Sequence, residues 1–239
     1  MRTVPDSTVW RDHEAMSVAA AHFFVSACHL AIRKQGKFSI ALSGGNTPKR
    51  FYEILASNEF NKNIPWKKLF LFWSDERFVD HSSPESNYNM VRKALLDKID
   101  IPPKNVFPVP VTGDPGQNAQ QYESAIKKFF ANKPAAFDWL MLGTGEDGHT
   151  ASLFPNSPAL VENRRLVKQV WVAEKQSWRI SFTYPLINRA KQIIFLVSGK
   201  EKAGVISAVF NKPVKKIFPV QYIDPEKSLW IIDKAAAGQ

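Results

Sequence analysis

Short apolar segments of strand length alternate with segments of helical periodicity along most of this chain. Eight segments have the composition of strands: 37–42, 69–73, 105–107, 137–142, 166–173, 179–183, 192–198 and 228–232. Predicted helices lie between them, for example at 17–32, where apolar residues recur at helical spacing and Gly36 follows. Alternation of this kind builds a mostly parallel sheet covered by helices on both faces. The sequence therefore predicts an α/β fold, a three-layer αβα sandwich around a mostly parallel, Rossmann-like sheet.

The length and composition are those of one globular domain. The chain has 239 residues, of which 44% are hydrophobic and 23% charged, and α/β folds of this size often remain undivided. No internal repeat, low-complexity segment or linker interrupts it, so we expect a single domain over 1–239. The one cysteine, Cys28, excludes a disulfide or a thiolate metal cluster within the chain. The five histidines are scattered without metal-ligand spacing, which predicts that no metal is bound.

The formal net charge of +10 raises the possibility of a nucleic-acid partner. However, the basic doublets are scattered along the chain, and no aromatic-basic recognition motif or basic tail accompanies them. We therefore expect a solvated surface that also steers small anions inward. Segment 17–32 is apolar but too short to cross a membrane, and its spacing is that of an amphipathic helix. We expect a soluble, cytoplasmic protein with neither a nucleic-acid nor a membrane partner.

Predicted strand 137–142 leads into a glycine-rich loop that carries one histidine. Gly143, Gly145 and Gly148 break regular structure, and His149 follows directly. Open α/β sheets build binding crevices from loops of this kind at the carboxyl ends of their strands. The alternative is a glycine-rich turn with a histidine on the surface, which spacing and composition alone leave open.

A second loop of interest, Ser43-Gly44-Gly45-Asn46-Thr47, follows predicted strand 37–42. Thr47 is a plausible N-cap, with Pro48 at the first position of the next helix. The free N–H groups and positive dipole of a helix N-terminus suit a phosphate group. The loop matches neither a Walker motif nor Gly-x-Gly-x-x-Gly, and ordinary turn chemistry remains the alternative.

Charged residues follow a third predicted strand, 69–73. Asp75 and Arg77 could line a crevice at its carboxyl edge, or form a solvated turn with an ion pair. Arg179 and Lys200 flank two further strands and could supply cations. The convergence of three loops with candidate groups indicates a functional site more strongly than any one motif does.

Together these segments resemble the 6-phosphogluconolactonase family, within the larger group that includes glucosamine-6-phosphate isomerase/deaminase. The matching stretches are 42–48, 73–79 with Ser86-Asn87-Tyr88, 145–155, 179–181 and 197–203, in the order found in the family. The block Asp147-Gly148-His149-Thr150-Ala151-Ser152-Leu153-Phe154-Pro155 is the specific one. Asp80, where the family often has proline, and Thr144, in a loop that usually prefers other small or apolar residues, are mild departures.

The resemblance implies hydrolysis of 6-phosphoglucono-1,5-lactone to 6-phosphogluconate in the pentose phosphate pathway, without cofactor or metal. His149 is then the expected base that activates water. Because no Gly-x-Ser-x-Gly motif is present, we expect direct attack by water. Asp75 is expected to orient His149 or to hold sugar hydroxyls. The remaining groups would bind the phosphate and polarise the lactone, with roles not divided among the cations: Arg77, Arg179, Lys200 and the amides of Ser43, Gly44, Gly45, Asn46 and Thr47.

Three alternatives remain. An isomerase or deaminase of the same group typically has a carboxylate in the segment after the histidine, which Thr150 to Phe154 do not supply. The chain could also be a sugar-phosphate binding module without catalysis, or a nucleic-acid binder. The sequence does not distinguish a monomer from a homodimer.

Overall fold

In the computed structural model, which describes residues 9–131, 133–211 and 216–239, nine strands form two sheets. The strands are β1 (Val9–Trp10), β2 (Phe38–Leu42), β3 (Leu69–Trp73), β4 (Asp75–Arg77), β5 (Trp139–Leu142), β6 (Val167–Val172), β7 (Ser177–Phe182), β8 (Ile193–Val197) and β9 (Ser228–Asp233). The α-helices found in these ranges are α1 (His13–Gln35), α2 (Asn46–Leu55), α3 (Asn58–Asn61), α4 (Asn87–Ala94), α5 (Pro115–Phe129), α6 (Tyr184–Ile187) and α7 (Ala203–Phe210).

The larger sheet has six parallel strands in the order β1-β9-β8-β5-β2-β3. Its central strands β2, β5 and β8 are buried at every residue, as expected where helices cover both faces of a parallel sheet. The predicted α/β fold with a mostly parallel sheet flanked by helices is confirmed. Since parallel strands end at the same edge, the loops after β2, β3, β5 and β8 meet there.

A smaller antiparallel sheet, which the sequence did not predict, has the order β4-β7-β6. The charged segment 75–77 is an edge strand of this sheet, in which Asp75 pairs with Ser181 and Arg77 with Arg179. The predicted strand 105–107 is wrong. Residues Pro103–Asn105 form a 3₁₀ turn, and a single bridge joins Val106 to Leu71. The surrounding prolines lack the N–H groups that a ladder requires.

Helix α1 is longer than the predicted segment 17–32. Asp12 caps its first turn by accepting a hydrogen bond from the backbone N–H of Ala15 at 2.8 Å, and Gly36, with φ of 78°, ends it as predicted. At 23 residues it is long and apolar enough to cross a membrane, so the prediction that it is too short is wrong. In the structure, α1 packs against α2 and β9 and buries Met16 and Phe24.

Candidate active site

A cavity of about 420 Å³ lies at the carboxyl edge of the larger sheet. Its walls come from the loops after β2, β5 and β8, and from β4 and β7 of the smaller sheet. The sequence-predicted residues that line it are Ser43, Gly44, Gly45, Asn46, Thr47, Asp75, Arg77, His149 and Arg179. The fold thus brings together groups that are more than 130 residues apart in the chain, whereas Lys200 lies outside this lining.

The ring of His149 is fixed in the turn after β5. Its Nδ1 lies 2.6 Å from Oδ1 of Asp147, and its backbone N–H donates to the same oxygen at 3.2 Å. The ring of Phe154 stacks on the imidazole with 4.2 Å between centroids. A Cβ on Gly145 would lie 2.2 Å from Nδ1, so the ring needs glycine at that position. With Nδ1–H donated to Asp147, neutral His149 keeps its lone pair on Nε2, which makes no hydrogen bond to the described residues.

Asp147, rather than Asp75, is therefore the carboxylate that orients His149. The expectation that Asp75 could orient the imidazole is not met, because Oδ2 of Asp75 accepts a hydrogen bond from the hydroxyl of Ser152 at 2.7 Å. Asp75 is buried yet lines the cavity, and the other role expected for it, holding sugar hydroxyls, stays a prediction. Sequence reasoning missed Asp147. The signal was its place two residues before His149, since Asp side chains commonly bond to the backbone two residues ahead.

Two arginines stand side by side on β4 and β7. Arg77 and Arg179 are directly opposed in the ladder, and Nη1 of Arg77 donates to the carbonyl of Glu85 at 2.5 Å. The Nε atoms of both arginines are buried without a hydrogen-bond partner among the described residues. Burial and the neighbouring charge of Arg77 lower the pKa of Arg179 below its ordinary value. Two adjacent cations in the cavity lining favour an anion in the cavity.

The N-terminus of α2 also opens into the cavity. The N-cap is Gly45, with φ of 104°, so the prediction of Thr47 as N-cap is wrong. Glycine tolerates this φ, and the helix consequently begins before Thr47. Within the described ranges, no side chain caps this end, which leaves backbone N–H groups available to a ligand.

The loop before α2 is held from behind by Tyr52. The buried hydroxyl of Tyr52 donates to the carbonyl of Ser43 at 2.8 Å and accepts from the N–H of Ser43 at 3.1 Å. Burial raises the pKa of Tyr52, so the hydroxyl keeps the proton that it donates. Both backbone groups of Ser43, the first residue of the loop, are therefore hydrogen bonded to Tyr52 and need no ligand to pair them.

The lysines that line the cavity are not the predicted one. Lys200 is exposed and does not line the cavity, whereas Lys202, two residues later, does. Both lysines lie in the 3₁₀ turn Lys200–Lys202 after Gly199, which has φ of 105°. Because such a turn has three residues, positions two apart lie on different sides of it. Lys175, in the turn between β6 and β7, also borders the cavity and was missed. No periodic signal in the sequence marks either lysine.

No cluster of three or more His, Cys, Asp or Glu residues able to hold a metal ion occurs in the described ranges 9–131, 133–211 and 216–239. The ionisable groups at the cavity are instead cations, the carboxylates of Asp75 and Glu201, and the histidine. The arrangement can bind an anionic ligand and move a proton at Nε2 of His149.

Comparison with known proteins gives one consistent result. The family model described as "Glucosamine-6-phosphate isomerases/6-phosphogluconolactonase" matches residues 11–232. The 6-phosphogluconolactonase of Synechocystis sp. is 44% identical over 213 residues, covering 86% of each chain. That of Nostoc sp. is 39% identical over 235 residues, covering 95% of each. Among solved structures, 6-phosphogluconolactonase from Trypanosoma cruzi superposes with a TM-score of 0.87 at 30% identity, covering 100% of this chain and 98% of its own.

The match extends over nearly the whole chain and includes every segment that lines the cavity. It confirms the resemblance seen in the sequence motifs. The chain belongs to the glucosamine-6-phosphate isomerase/6-phosphogluconolactonase family.

Proposed function

We propose that the chain hydrolyses 6-phosphoglucono-1,5-lactone to 6-phosphogluconate, the second step of the oxidative pentose phosphate pathway. It is a carboxylic ester hydrolase, as the names of its relatives at 44% and 39% identity support. The observation that carries the proposal is the pairing of His149 with Asp147 at 2.6 Å beside a cavity lined with cations. A base and donors for an anion are the two things that ester hydrolysis requires.

His149 acts as the general base. Its Nε2 takes a proton from water while the water oxygen forms a bond to the lactone carbonyl carbon. Asp147 stabilises the imidazolium that results, and the tetrahedral oxyanion is stabilised by donors in the cavity. The carbon–oxygen bond of the ring then breaks, and the proton on Nε2 passes to the leaving ring oxygen. The products are the open-chain acid, which ionises, and a free hydroxyl.

Direct attack by water fits the environment of Ser152, a possible nucleophile three residues after His149. Ser152 lines the cavity, but its hydroxyl donates to Asp75 at 2.7 Å rather than to the imidazole. A serine nucleophile needs a base within hydrogen-bond reach. We therefore favour water over an acyl-enzyme.

The phosphate binds at the N-terminus of α2. Residues 43–47 line the cavity there, no side chain of the described residues caps the helix, and Arg77, Arg179 and Lys202 line the same space. These cations divide between the phosphate and the oxyanion on the lactone. Asp75, held by Ser152, accepts hydrogen bonds from sugar hydroxyls.

The strongest alternative is an isomerase or deaminase acting on an amino-sugar phosphate, because the family model includes both activities. The segment after His149 has no carboxylate, and its polar side chains are already bonded. Thr150 donates to the carbonyl of Gly143 at 2.8 Å, and Ser152 donates to Asp75. Ring opening by a carboxylate from this segment is therefore disfavoured.

The test is a coupled assay in which lactone is generated freshly and the appearance of 6-phosphogluconate is followed. The rate is measured as the excess over an enzyme-free control, since the lactone also hydrolyses spontaneously. We expect rapid excess hydrolysis and no ammonia from glucosamine-6-phosphate. Folded protein that gives ammonia, or that gives no excess hydrolysis, would refute the proposal.

The same proposal includes a cytoplasmic location, no cofactor, and either a monomer or a homodimer. It includes no nucleic-acid or membrane partner. The absence of a salt-sensitive shift with duplex DNA would support the exclusion of nucleic acid.

A further inference from the structure

A buried carboxylate, Glu76, lies directly behind the cavity. It is between Asp75 and Arg77 on β4, and because side chains alternate along a strand, it points away from the cavity that its neighbours line. Its side chain is 1% exposed. Burial raises the pKa of Glu76 to about 7, against the opposing effect of the backbone N–H groups that donate to it. Burying a carboxylate costs folding free energy unless hydrogen bonds compensate for the lost water.

The carboxylate of Glu76 accepts four hydrogen bonds from the residues that the structure describes. The backbone N–H groups of Arg77, Asn87 and Tyr88 donate at 2.8, 2.7 and 2.7 Å, and the hydroxyl of Ser86 donates at 3.1 Å. Ser86 is the N-cap of α4, and Asn87 and Tyr88 are its first two residues. Glu76 thus binds N–H groups that would otherwise be unpaired at the start of a helix, where negative charge is also favoured.

The residue that this arrangement fixes most closely is Asn87, whose side chain lines the cavity. Its Nδ2 donates to the backbone carbonyl of Asp75 at 2.9 Å and lies 3.5 Å from Oδ1 of the same residue. On its other side it meets the phosphate-binding loop, since a Cβ on Gly44 would lie 1.8 Å from Oδ1 of Asn87. One amide therefore touches both the residue proposed to hold sugar hydroxyls and the loop proposed to hold phosphate.

We propose that Glu76 is a positioning residue of the active site, which holds the start of α4 so that Asn87 fixes Asp75 and the Gly44 loop. This inference rests on the proposed function, because it takes Asp75 and the loop to be substrate-binding groups. The inference assigns Glu76 and Asn87 a role in substrate binding. His149 and Asp147, which act in the chemical step, lie on a different loop and take no part in the hydrogen bonds of Glu76.

The first variant is Glu76→Gln, which keeps the size but replaces one acceptor oxygen by an NH₂ group that opposes the N–H donors. The second is Asn87→Ala, which removes the amide directly. Glu59→Gln is the matched control, because Glu59 is an exposed glutamate on α3, away from the cavity. Each variant is assayed with freshly generated lactone, and its folded fraction is measured by circular dichroism and thermal melting.

We expect Glu76→Gln and Asn87→Ala each to raise KM by about 10-fold or more, with kcat per folded molecule within about threefold of wild type. The double variant should be no worse than the more impaired single variant, because both act through the same amide. Glu59→Gln should match wild type. A merely structural role would lower apparent kcat in proportion to the folded fraction and leave KM unchanged.

The inference is overturned if folded Glu76→Gln keeps a wild-type KM. If Glu76→Gln does not fold, Asn87→Ala decides alone, and a wild-type KM in that variant overturns the inference. Asp75→Asn separates this failure from failure of the proposed function. If Asp75→Asn raises KM while both other variants do not, only the positioning role is wrong. If wild type itself hydrolyses no lactone, the proposed function is wrong.

Discussion

Removal of the Asp147 carboxylate should slow the chemical step without weakening substrate binding. Asp147 touches His149 through two bonds to one oxygen, at 2.6 Å from Nδ1 and 3.2 Å from the backbone N–H. Asp147→Ala leaves the Phe154 ring stacked on the imidazole but removes the acceptor that sets its tautomer and the charge that faces the imidazolium. Since the imidazolium forms only as water is attacked, the loss is one of transition-state stabilisation.

The expected loss of kcat depends on how strongly solvent screens the attraction between Asp147 and the His149 imidazolium. Two unit charges about 4 Å apart attract by about 1 kcal/mol in bulk water and by about 4 kcal/mol at an effective dielectric constant of about 20. The side chains of His149 and Asp147 are 31% and 46% exposed, so solvent screening keeps the value near the lower end. About 1 to 2 kcal/mol corresponds to a roughly 5- to 30-fold lower kcat.

Two further variants make the measurement specific. Asp147→Asn keeps an acceptor oxygen but removes the charge, so its kcat should lie between those of wild type and Asp147→Ala. Glu146→Ala removes an exposed carboxylate of the same loop that makes no hydrogen bond to the described residues, and should retain at least half of wild-type kcat. The reasoning is refuted if Asp147→Ala also retains more than half of kcat, or if Glu146→Ala loses as much.

Three other predictions concern the metal, the cations and Glu76. Activity should survive EDTA, and full loss that a divalent ion restores would contradict this. Arg179→Ala and Lys202→Ala should each lower kcat/KM roughly 10- to 200-fold, about 1.4 to 3 kcal/mol, while Lys200→Ala stays near wild type. Equal effects of the two lysine variants would contradict the conclusion that Lys202, and not Lys200, lines the cavity. The pKa of Glu76 is raised from 4.5 to about 7, so folded protein binds a proton that unfolded protein releases between these values. The free energy of unfolding should therefore fall as pH rises from about 5 to 8, by on the order of 3 kcal/mol relative to Glu76→Gln. If urea unfolding shows the same difference between wild type and Glu76→Gln at every pH, this prediction is contradicted.

The larger sheet could be predicted because its strands are continuous apolar runs. Segment 69–73 coincides with β3, segment 192–198 is one residue longer than β8 at each end, and segment 228–232 is one residue shorter than β9. Buried parallel strands leave this pattern since both of their faces are covered. The loops that follow them could be predicted for the same reason, as the carboxyl ends of parallel strands share one edge.

The smaller sheet could not be predicted from local pattern. β4 consists of Asp75, Glu76 and Arg77, a composition typical of a solvated turn. It becomes a strand by pairing with β7, about a hundred residues later in the chain. Its charges are accommodated because Asp75 and Arg77 face the cavity while Glu76 meets the donors of α4. Non-local contacts of this kind leave no periodic signal.

The loops of the site could be predicted from strand ends and glycines, whereas the side chain within a loop that reaches the cavity could not be. Lys200 and Lys202 differ only in their place within one 3₁₀ turn. The sequence analysis named Asp75 as the carboxylate that could orient His149, whereas Asp147, which it missed, lies 2.6 Å from Nδ1 of His149.

The central claim, that His149 activates water for lactone hydrolysis, is tested most directly by the kcat of His149→Asn. Asparagine is similar in size but takes no proton at neutral pH, and a positioned base contributes about 10² to 10⁴ in rate. Rates are read as the excess over an enzyme-free control. The account predicts a kcat at least 100-fold below wild type with a smaller change in KM, and a folded variant that retains more than about a tenth of wild-type kcat would contradict it.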